Sequence, residues 1–189
     1  METSERRGRL GRGRKQMHAE GHRPGIGRAR LQCMNELWCS VEIDAPAKAV
    51  WGALVELADF HNWNPFIREA AGELRVGGRV RVRVRASLPL RIVFHATVLA
   101  VESERELRWR GHVLAPWLGS GEHTFTLEPL GPARTRFTQH EVFSGALPRL
   151  LRPLLVSEAR RGFDAMNRAL KAHVESAGAA PARAACAAA

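Results

Sequence analysis

The chain has 189 residues, of which 45% are hydrophobic, and these values are typical of one globular domain with terminal tails. The formal net charge is +10, but residues 1–33 hold nine Lys or Arg against three Glu, so most of the basic charge lies in the first segment. No apolar run reaches the ~18 residues that cross a bilayer, and the basic start lacks the apolar core of a secretory signal. We therefore expect a cytoplasmic protein without a membrane span.

Composition divides the chain into three segments. Residues 1–33 are rich in Gly and Arg with few large apolar side chains, and we predict that they form a disordered basic tail. Met34 stands immediately before the first patterned segment, and we expect it to be the true start of the native protein. Residues 34–176 are predicted to form one domain, and the Ala-rich residues 177–189 a second disordered tail.

In chain order, residues 37–43 alternate apolar and polar side chains, which predicts a strand. Asp44 is predicted to cap a helix that begins at Pro46, and residues 59–65 to form a second short helix or a corner. A last long helix is predicted to begin at Pro153, with Leu154 on its apolar face. Further strands are predicted over residues 66–74, 79–86, 90–101, 107–113, 119–127 and 135–143, with turns at 77–78 and 128–132.

This order of elements predicts an α+β domain. Strands that follow one another in hairpins form an antiparallel sheet, and here a curved sheet of about seven strands would wrap around the long C-terminal helix. A curved sheet that packs against one helix leaves a space between the two layers. A binding site is expected in that space.

The segment RVRVRVRA at residues 79–86 sets four arginines on one side of a strand and apolar residues on the other. A surface that follows nucleic-acid phosphates would combine its basic residues with exposed aromatic rings or Gly-rich loops, and this segment has neither. A half-buried strand with a charged outer face is favoured instead, and no specific nucleic-acid partner is expected. The predicted cross-strand partners of the arginines are Glu102, Glu104, Glu106 and Glu122.

The cysteines and histidines do not indicate a metal site. Cys33 and Cys186 lie in the predicted tails and Cys39 in the first strand, so the three thiols form no disulfide framework. No His or Cys spacing is typical of metal ligands in the predicted domain. Neither a metal nor a cofactor is predicted.

Strand parity places polar side chains inside the predicted cavity. If Phe125 points inward, so does His123 on the same strand, while Gln139 and Glu141 reach the inner face of the next strand. Pairing across a turn near Gly131 would set His123 opposite Gln139, with Glu141 one diagonal away. The predicted ligand-binding residues are Phe94, Val98, Trp109, His123, Phe125, Gln139, Glu141, Phe163 and Met166.

Three interpretations of these polar residues stay open. His123, Gln139 and Glu141 would orient an amphipathic ligand by hydrogen bonds in the first. In the second, His123 is a general acid or base tuned by Glu141, which makes these two the candidate catalytic residues. In the third, all three form a satisfied internal network without a ligand.

Three segments of the chain resemble the SRPBCC superfamily, the group of START-related and polyketide cyclase/dehydrase-like proteins with a helix-grip fold. They are VEIDAPAKAVWGALVELADFHNWNPFI at residues 41–67, RELRWRG at 105–111 and GEHTFTLEPLGPARTRFTQHEVFSG at 121–145. The resemblance covers about residues 35–176 and implies two short helices after the first strand. It also implies that the Trp63-Asn64-Pro65 corner is scaffold, because Pro65 ends the helix and Trp63 buries a large ring.

The resemblance implies a domain that binds a hydrophobic or amphipathic small molecule between sheet and helix, for transport or sequestration. Two alternatives stay open: a cyclase/dehydratase-type enzyme that uses His123 with Glu141, and a protein-binding module of the chaperone-ATPase-activator type. Arg149 and Arg152 flank the expected cavity entrance, where they would attract an anionic head group. An exposed sheet edge also leaves a homodimer open.

Overall fold

The computed structural model of the chain describes residues 36–85, 91–112, 115 and 117–187, and side chains for all of these except 91 and 179–187. Seven strands form one antiparallel sheet in the order β1-β7-β6-β5-β4-β3-β2. Their bounds are β1 Glu36–Ile43, β2 Ile67–Gly72, β3 Arg79–Arg85, β4 Arg91–Glu102, β5 Glu106–His112, β6 Ser120–Gly131 and β7 Arg134–Ser144.

The helices lie on one face of this sheet. Helix α1 (Ala47–Val55), a 3-10 turn (Leu57–Asp59) and the short α2 (Phe60–Trp63) follow β1, and the sequence did not predict the short α3 (Ala146–Leu150). The long α4 (Arg152–Ala187) packs against β1 and α1. The predicted α+β helix-grip fold is confirmed. The predicted disordered tails stay a prediction, and residues 1–35 and Met34 lie outside the described residues.

Antiparallel pairing divides the sheet into two ends. The connections β3–β4, β5–β6 and β7–α3 lie at one end, which we call the mouth end. The hairpins β2–β3, β4–β5 and β6–β7 lie at the other, which we call the far end. The inner face of the sheet therefore runs from the mouth end to the far end beneath α4.

The main hydrophobic core fills the space between the sheet and the helices toward the far end. Its strand residues alternate with exposed residues, as the period of two requires. Each of these large side chains has less than a tenth of its surface in contact with water: Ile43, Leu54, Phe60, Leu107, Trp109, Phe125, Leu127, Phe137, Met166 and Leu170.

The start of α1 differs from the prediction. Pro46 occupies the cap position in an extended conformation without a side-chain hydrogen bond, so Asp44 is not the cap. Its carboxylate instead lies 3.7 Å from Arg134 and 3.7 Å from Lys171, while its backbone N–H donates to Glu175 at 2.8 Å. Asp44 therefore links the far end of the sheet to α4.

A second contact fastens α4 at the same place. The Lys171 ammonium donates to the backbone carbonyl of Glu42 at 2.8 Å and to the Glu175 carboxylate at 2.6 Å. The Glu175 bond raises the pKa of Lys171, so this lysine stays charged. Together with the Asp44 bond, these contacts tie the middle of α4 to β1.

The Trp63-Asn64-Pro65 corner is structural. Asn64 is fully buried, and its Oδ1 accepts hydrogen bonds from the backbone N–H of Phe66 at 3.0 Å and of Ile67 at 2.9 Å. Trp63 is partly buried and packs edge-on against Phe60 at 5.2 Å between ring centroids. The corner directs the chain from α2 into β2.

The arginines of β3 point outward, as predicted, while Val80 and Val82 are fully buried on the inner face. The predicted glutamate partners are wrong, because Arg81 and Arg83 pair with Glu69 on β2. Glu122, one of the four predicted partners, pairs with arginines of β5 instead. Two of the four arginines on the outer face of β3 are thus held in ion pairs with the neighbouring strand.

Candidate functional site

A cavity of about 200 Å³ lies between the inner face of the sheet and the first turns of α4, toward the mouth end. The walls are mainly apolar, with His123 and Glu141 as their ionisable groups beside the rim residue His112. Such a lining, with few convergent polar groups, is typical of a small-molecule site. The space that the sequence predicted between sheet and helix therefore exists at this end of the fold.

The structure brings together five of the nine residues that the sequence predicted as ligand-binding. Phe94, Trp109, His123, Glu141 and Phe163 line the cavity. The other four do not line it: Val98, Phe125, Gln139 and Met166 are buried in the core. They lie on the predicted face of their elements but too far toward the filled part of the fold.

His123 and Glu141 form the polar centre of the cavity. They stand directly opposite each other on β6 and β7, and His123 Nδ1 lies 2.8 Å from Glu141 Oε2. The predicted pairing of His123 with Gln139 is wrong, since Gln139 stands opposite Phe125. His123 is 7% exposed and Glu141 9% exposed, so water screens this contact little.

Gln139 belongs to an internal network instead. Its Nε2 donates to Asn167 Oδ1 at 2.7 Å and to the backbone carbonyl of Phe163 at 3.2 Å. These bonds join β7 to α4 and occupy the polar group that would otherwise face a ligand. Gln139 therefore belongs to an internal network, as the third interpretation expected, but among the described residues Gln139 Oε1 and Asn167 Nδ2 have no partner, so that network is not fully satisfied.

Glycines make the room in which the polar pair sits. A Cβ on Gly121 would stand 2.0 Å from Glu141 Oε1, and a Cβ on Gly111 would stand 2.6 Å from the Phe94 ring. Gly111 and Gly121 are paired across β5 and β6. The missing side chains let Glu141 and Phe94 lean across neighbouring strands. Neither glycine was predicted as a site residue, although a glycine inside a strand is a known signal of a close approach.

Aromatic rings hold the His123 imidazole in place. The Phe125 ring centroid lies 4.2 Å from that of His123, and the Phe163 centroid lies 4.7 Å away. Within the described part of the chain, His123 Nε2 is buried and has no hydrogen-bond partner. Eight buried side-chain atoms of the described residues lack a hydrogen-bond partner, and of these only His123 Nε2 belongs to a residue that lines the cavity, where a ligand or water would satisfy it.

The pair has two chemical capacities. If Nδ1–H donates to the Glu141 carboxylate, the neutral imidazole offers an acceptor at Nε2, and the imidazolium offers a donor there. The first arrangement orients a ligand hydroxyl, and the second a ligand carbonyl. The same atom also exchanges a proton with a bound molecule when general acid–base chemistry is performed.

Other titratable residues do not join this site. His61 is exposed, and its Nδ1 lies 2.7 Å from the carbonyl of Ala58. Cys39 is buried beside Phe163, and burial, reinforced by Asp164, raises the pKa of its thiol to about 11. The described residues hold no group of three or more His, Cys, Asp or Glu that would bind a metal ion.

The fold and the cavity define a helix-grip protein with an internal small-molecule site. The chain belongs to the polyketide cyclase/dehydrase and lipid transport family, whose model matches residues 37–175. The resemblance to polyketide cyclase/dehydrase-like proteins drawn from the sequence is confirmed. A search of curated proteins finds no match.

Solved structures share this fold. The Zhui aromatase/cyclase from Streptomyces sp. R1128 has a TM-score of 0.64 and 19% identity over 74% of this chain and 93% of its own. A START superfamily protein from Mycobacterium smegmatis has a TM-score of 0.62 and 20% identity over 75% and 97%. The protein TTHA0849 from Thermus thermophilus has a TM-score of 0.62 and 18% identity over 75% and 98%.

Family membership implies binding of a hydrophobic ligand or polyketide cyclase activity. In the part of the chain that the structure describes, no helix has the length and apolar character to cross a membrane.

Proposed function

We propose that this chain binds a hydrophobic or amphipathic small molecule in the cavity, with a polar group of the ligand bonded to His123. The observation that carries this proposal is the Nε2 atom of His123, which is buried and without a partner among the described residues. Leaving such an atom unpaired costs about 1–3 kcal/mol, and a ligand oxygen or nitrogen would recover that energy. The apolar walls would bind the rest of the molecule.

The size of the cavity limits the ligand. Sites for drug-sized ligands usually enclose about 300–1,000 Å³. A space of about 200 Å³ holds a ligand of one or two rings, or the inner part of a longer molecule that extends through the mouth. The ligand would therefore place its polar group inside, against His123, and its remaining length toward α3.

The test is to fill the cavity without unfolding the protein. Ala159 lines the cavity from α4, so Ala159→Phe places a ring in the space that the ligand would occupy. Ala172 is exposed on the same helix, and Ala172→Phe is the matched control. Binding of the fluorescent probe N-phenyl-1-naphthylamine should weaken about tenfold or more in the first variant and stay unchanged in the second.

Two outcomes would contradict the proposal. Equal probe affinity in both variants would show that the probe binds elsewhere. The second outcome combines two negative results: organic extraction of the purified protein yields no bound molecule, and no fatty acid or aromatic compound of a library raises its melting temperature. Together they would show that the protein does not bind such a ligand.

A cyclase or dehydratase is the second candidate function. The observation that favours it is the 2.8 Å contact between His123 Nδ1 and Glu141, since a carboxylate that orients an imidazole is a common arrangement in general acid–base catalysis. His123→Gln should then abolish turnover of an aromatic polyketide precursor while the precursor still binds. Turnover that survives this substitution would exclude His123 as the catalytic residue.

A further inference from the structure

Exposed apolar side chains lie next to the cavity-lining residues of α3, α4 and the β5–β6 connection, and the binding of a small molecule does not explain them. Trp117 is 74% exposed, Leu150 78% and Leu154 49%, and Leu151 is also exposed. The prediction that Leu154 belongs to the apolar face of α4 that packs on the sheet is therefore wrong. Isolated exposed leucines are ordinary on protein surfaces, but a cluster of this kind marks an interaction site.

Backbone hydrogen bonds hold these residues beside one another. The N–H of Ala146 donates to the carbonyl of Trp117 at 3.1 Å, and the N–H of Leu147 donates to that of Leu118 at 2.8 Å. The β5–β6 connection is thereby fixed against α3, and α4 begins at Arg152, directly after α3. We call the exposed side chains of Trp117, Leu150, Leu151 and Leu154 the rim patch.

The segments that carry the rim patch, residues 117–121 and 142–157, hold arginines and no carboxylate. Three segments that contribute to the cavity wall, residues 84–101, 111–121 and 142–157, contain no Asp or Glu in the sequence. The same segments hold the arginines Arg85, Arg91, Arg149 and Arg152. Arg149 is exposed beside Leu150, so cationic and apolar groups alternate on the rim.

The far end carries charges of both signs. Its hairpins expose single apolar side chains, Val76 and Leu130, among acidic and basic residues. Glu73, Glu102, Glu104, Glu106 and Glu128 all lie at or near these hairpins. The far end therefore combines carboxylates with cations such as Arg75, Arg105 and Arg134, whereas the segments beside the rim patch carry cations alone.

We propose that the rim patch docks on the surface of an anionic lipid bilayer, with the mouth of the cavity facing the lipid. Exposed Trp and Leu side chains enter the boundary between head groups and acyl chains, and Trp is favoured at that depth. Each arginine near an anionic surface adds about 1 kcal/mol of attraction, while carboxylates would be repelled.

The choice of a bilayer over an acidic protein rests on the proposed function. A hydrophobic ligand is scarce in water and abundant in a membrane, and the rim patch lies on the same three elements as the cavity-lining residues Gly119, Leu147 and Leu155. Docking would let the ligand pass between bilayer and cavity with little exposure to water.

The experiment measures binding of the full chain to vesicles of phosphatidylglycerol and phosphatidylcholine in equal parts, by co-sedimentation. Leu150→Glu/Leu154→Glu should reduce binding about tenfold or more, because it adds two carboxylates and removes two inserting side chains. Val76→Glu/Leu130→Glu makes the same chemical change at the far end and should have no effect. Vesicles of phosphatidylcholine alone should bind the unaltered chain more weakly.

The basic residues 1–33 are present in every variant, so the comparison separates the rim patch from the tail. Raising the salt screens attraction by the tail, and binding that remains depends on the rim patch. Insertion should also shift the emission of Trp117 to shorter wavelength, and Trp117→Phe should remove that shift. Equal binding of the two double variants, equal binding to both kinds of vesicle, or binding that salt abolishes completely would overturn the proposal.

Probe binding without vesicles keeps the two proposals apart. N-phenyl-1-naphthylamine should bind Leu150→Glu/Leu154→Glu as tightly as the unaltered chain, because both leucines lie outside the cavity. A variant that binds the probe but not the vesicles supports docking by the rim patch. If the unaltered chain does not bind the probe, the cavity proposal is refuted, whatever the vesicle experiment shows.

Discussion

The space beneath α4 has two halves built by the same strands, and only one of them is filled. Toward the far end, Phe125 and Phe137 stack in parallel with ring centroids 5.9 Å apart and close the gap between sheet and helix. Toward the mouth end, the same two strands carry Gly121 and the His123–Glu141 pair, and a cavity remains. The difference arises from side-chain volume at equivalent positions of one sheet rather than from a change of fold.

The comparison shows where stability and binding reside. Close packing stabilises the filled half, since deleting a large buried side chain leaves a cavity that the fold cannot collapse. The hollow half contributes less packing and presents polar atoms instead. A hollow site of this kind lowers the free energy of unfolding, and the close packing of the filled half compensates for that loss.

The largest expected effect compares two phenylalanines on the inner face. Phe137 is fully buried in the filled half, and Phe94 lines the cavity. Phe137→Ala should lower the free energy of unfolding by about 3–5 kcal/mol, and Phe94→Ala by about 1 kcal/mol, because Phe94 already borders empty space. Urea unfolding measures both values. Equal losses would mean that the two halves are packed alike.

An intermediate effect is expected where the glycines are replaced. Gly121→Ala would set a Cβ 2.0 Å from Glu141 Oε1, too close for a non-bonded contact, and force the carboxylate away from His123. The free energy of unfolding should fall by about 1–3 kcal/mol, since both buried groups lose their partner, and probe binding should change as well.

Gly119→Ala provides the control for this substitution. Its Cβ would meet Pro148 Cδ at 3.6 Å, an ordinary contact, and the expected change is under about 0.5 kcal/mol. If the two alanine variants unfold at the same urea concentration, Gly121 does not make room for the polar pair.

The smallest effect concerns Cys39, on the inner face of β1 beside Phe163. Burial, reinforced by Asp164, raises the pKa of its thiol from 9.0 to about 11. The resulting stability is fully present below pH 9 and is lost as the pH rises toward 11, because the unfolded chain loses its thiol proton first.

Labelling with iodoacetamide tests the same shift. In Cys33→Ser/Cys186→Ser, which leaves Cys39 as the single thiol, the labelling rate should rise with a midpoint near pH 11 rather than pH 9. A midpoint near 9 would show that the thiol is open to water. Urea-unfolded protein is the reference for an unshifted thiol.

The sequence predicted the elements of this fold well because their signals are local. Alternation placed the strands within a few residues, and Pro65 with Asn64 placed the corner. Strand parity correctly turned His123 and Glu141 inward. These inferences need only the period of a strand and the angles that proline allows.

Register was the part that the sequence did not determine. Strand β6 runs to Gly131, with an irregularity between Pro129 and Gly131, so the turn falls later than predicted. Moving the centre of a hairpin by one residue moves each pairing by two, which set His123 opposite Glu141 rather than Gln139. A turn with two prolines gives no simple signal of its centre.

Volume was the other missing quantity. Val98, Phe125 and Met166 have the residue types of a cavity wall but lie in the filled half. Asn167 was overlooked as the partner of Gln139, although it follows Met166 on the buried face of α4. The position of the cavity depends on how all the inner side chains pack together. It therefore cannot be predicted from the residue type at any single position.

The fastening of α4 through Lys171 and Glu175 has a mechanical consequence. Gln139 holds the helix a second time at Phe163 and Asn167, so α4 is fastened to the sheet from Phe163 to Glu175, and its first turns lack such a bond among the described residues. We expect a bulky guest to lift the first turns after Arg152 by the largest amount and to leave the region of Lys171 in place. The width of the cavity would then adjust to the ligand, while the fastened part of α4 keeps the rest of the fold unchanged.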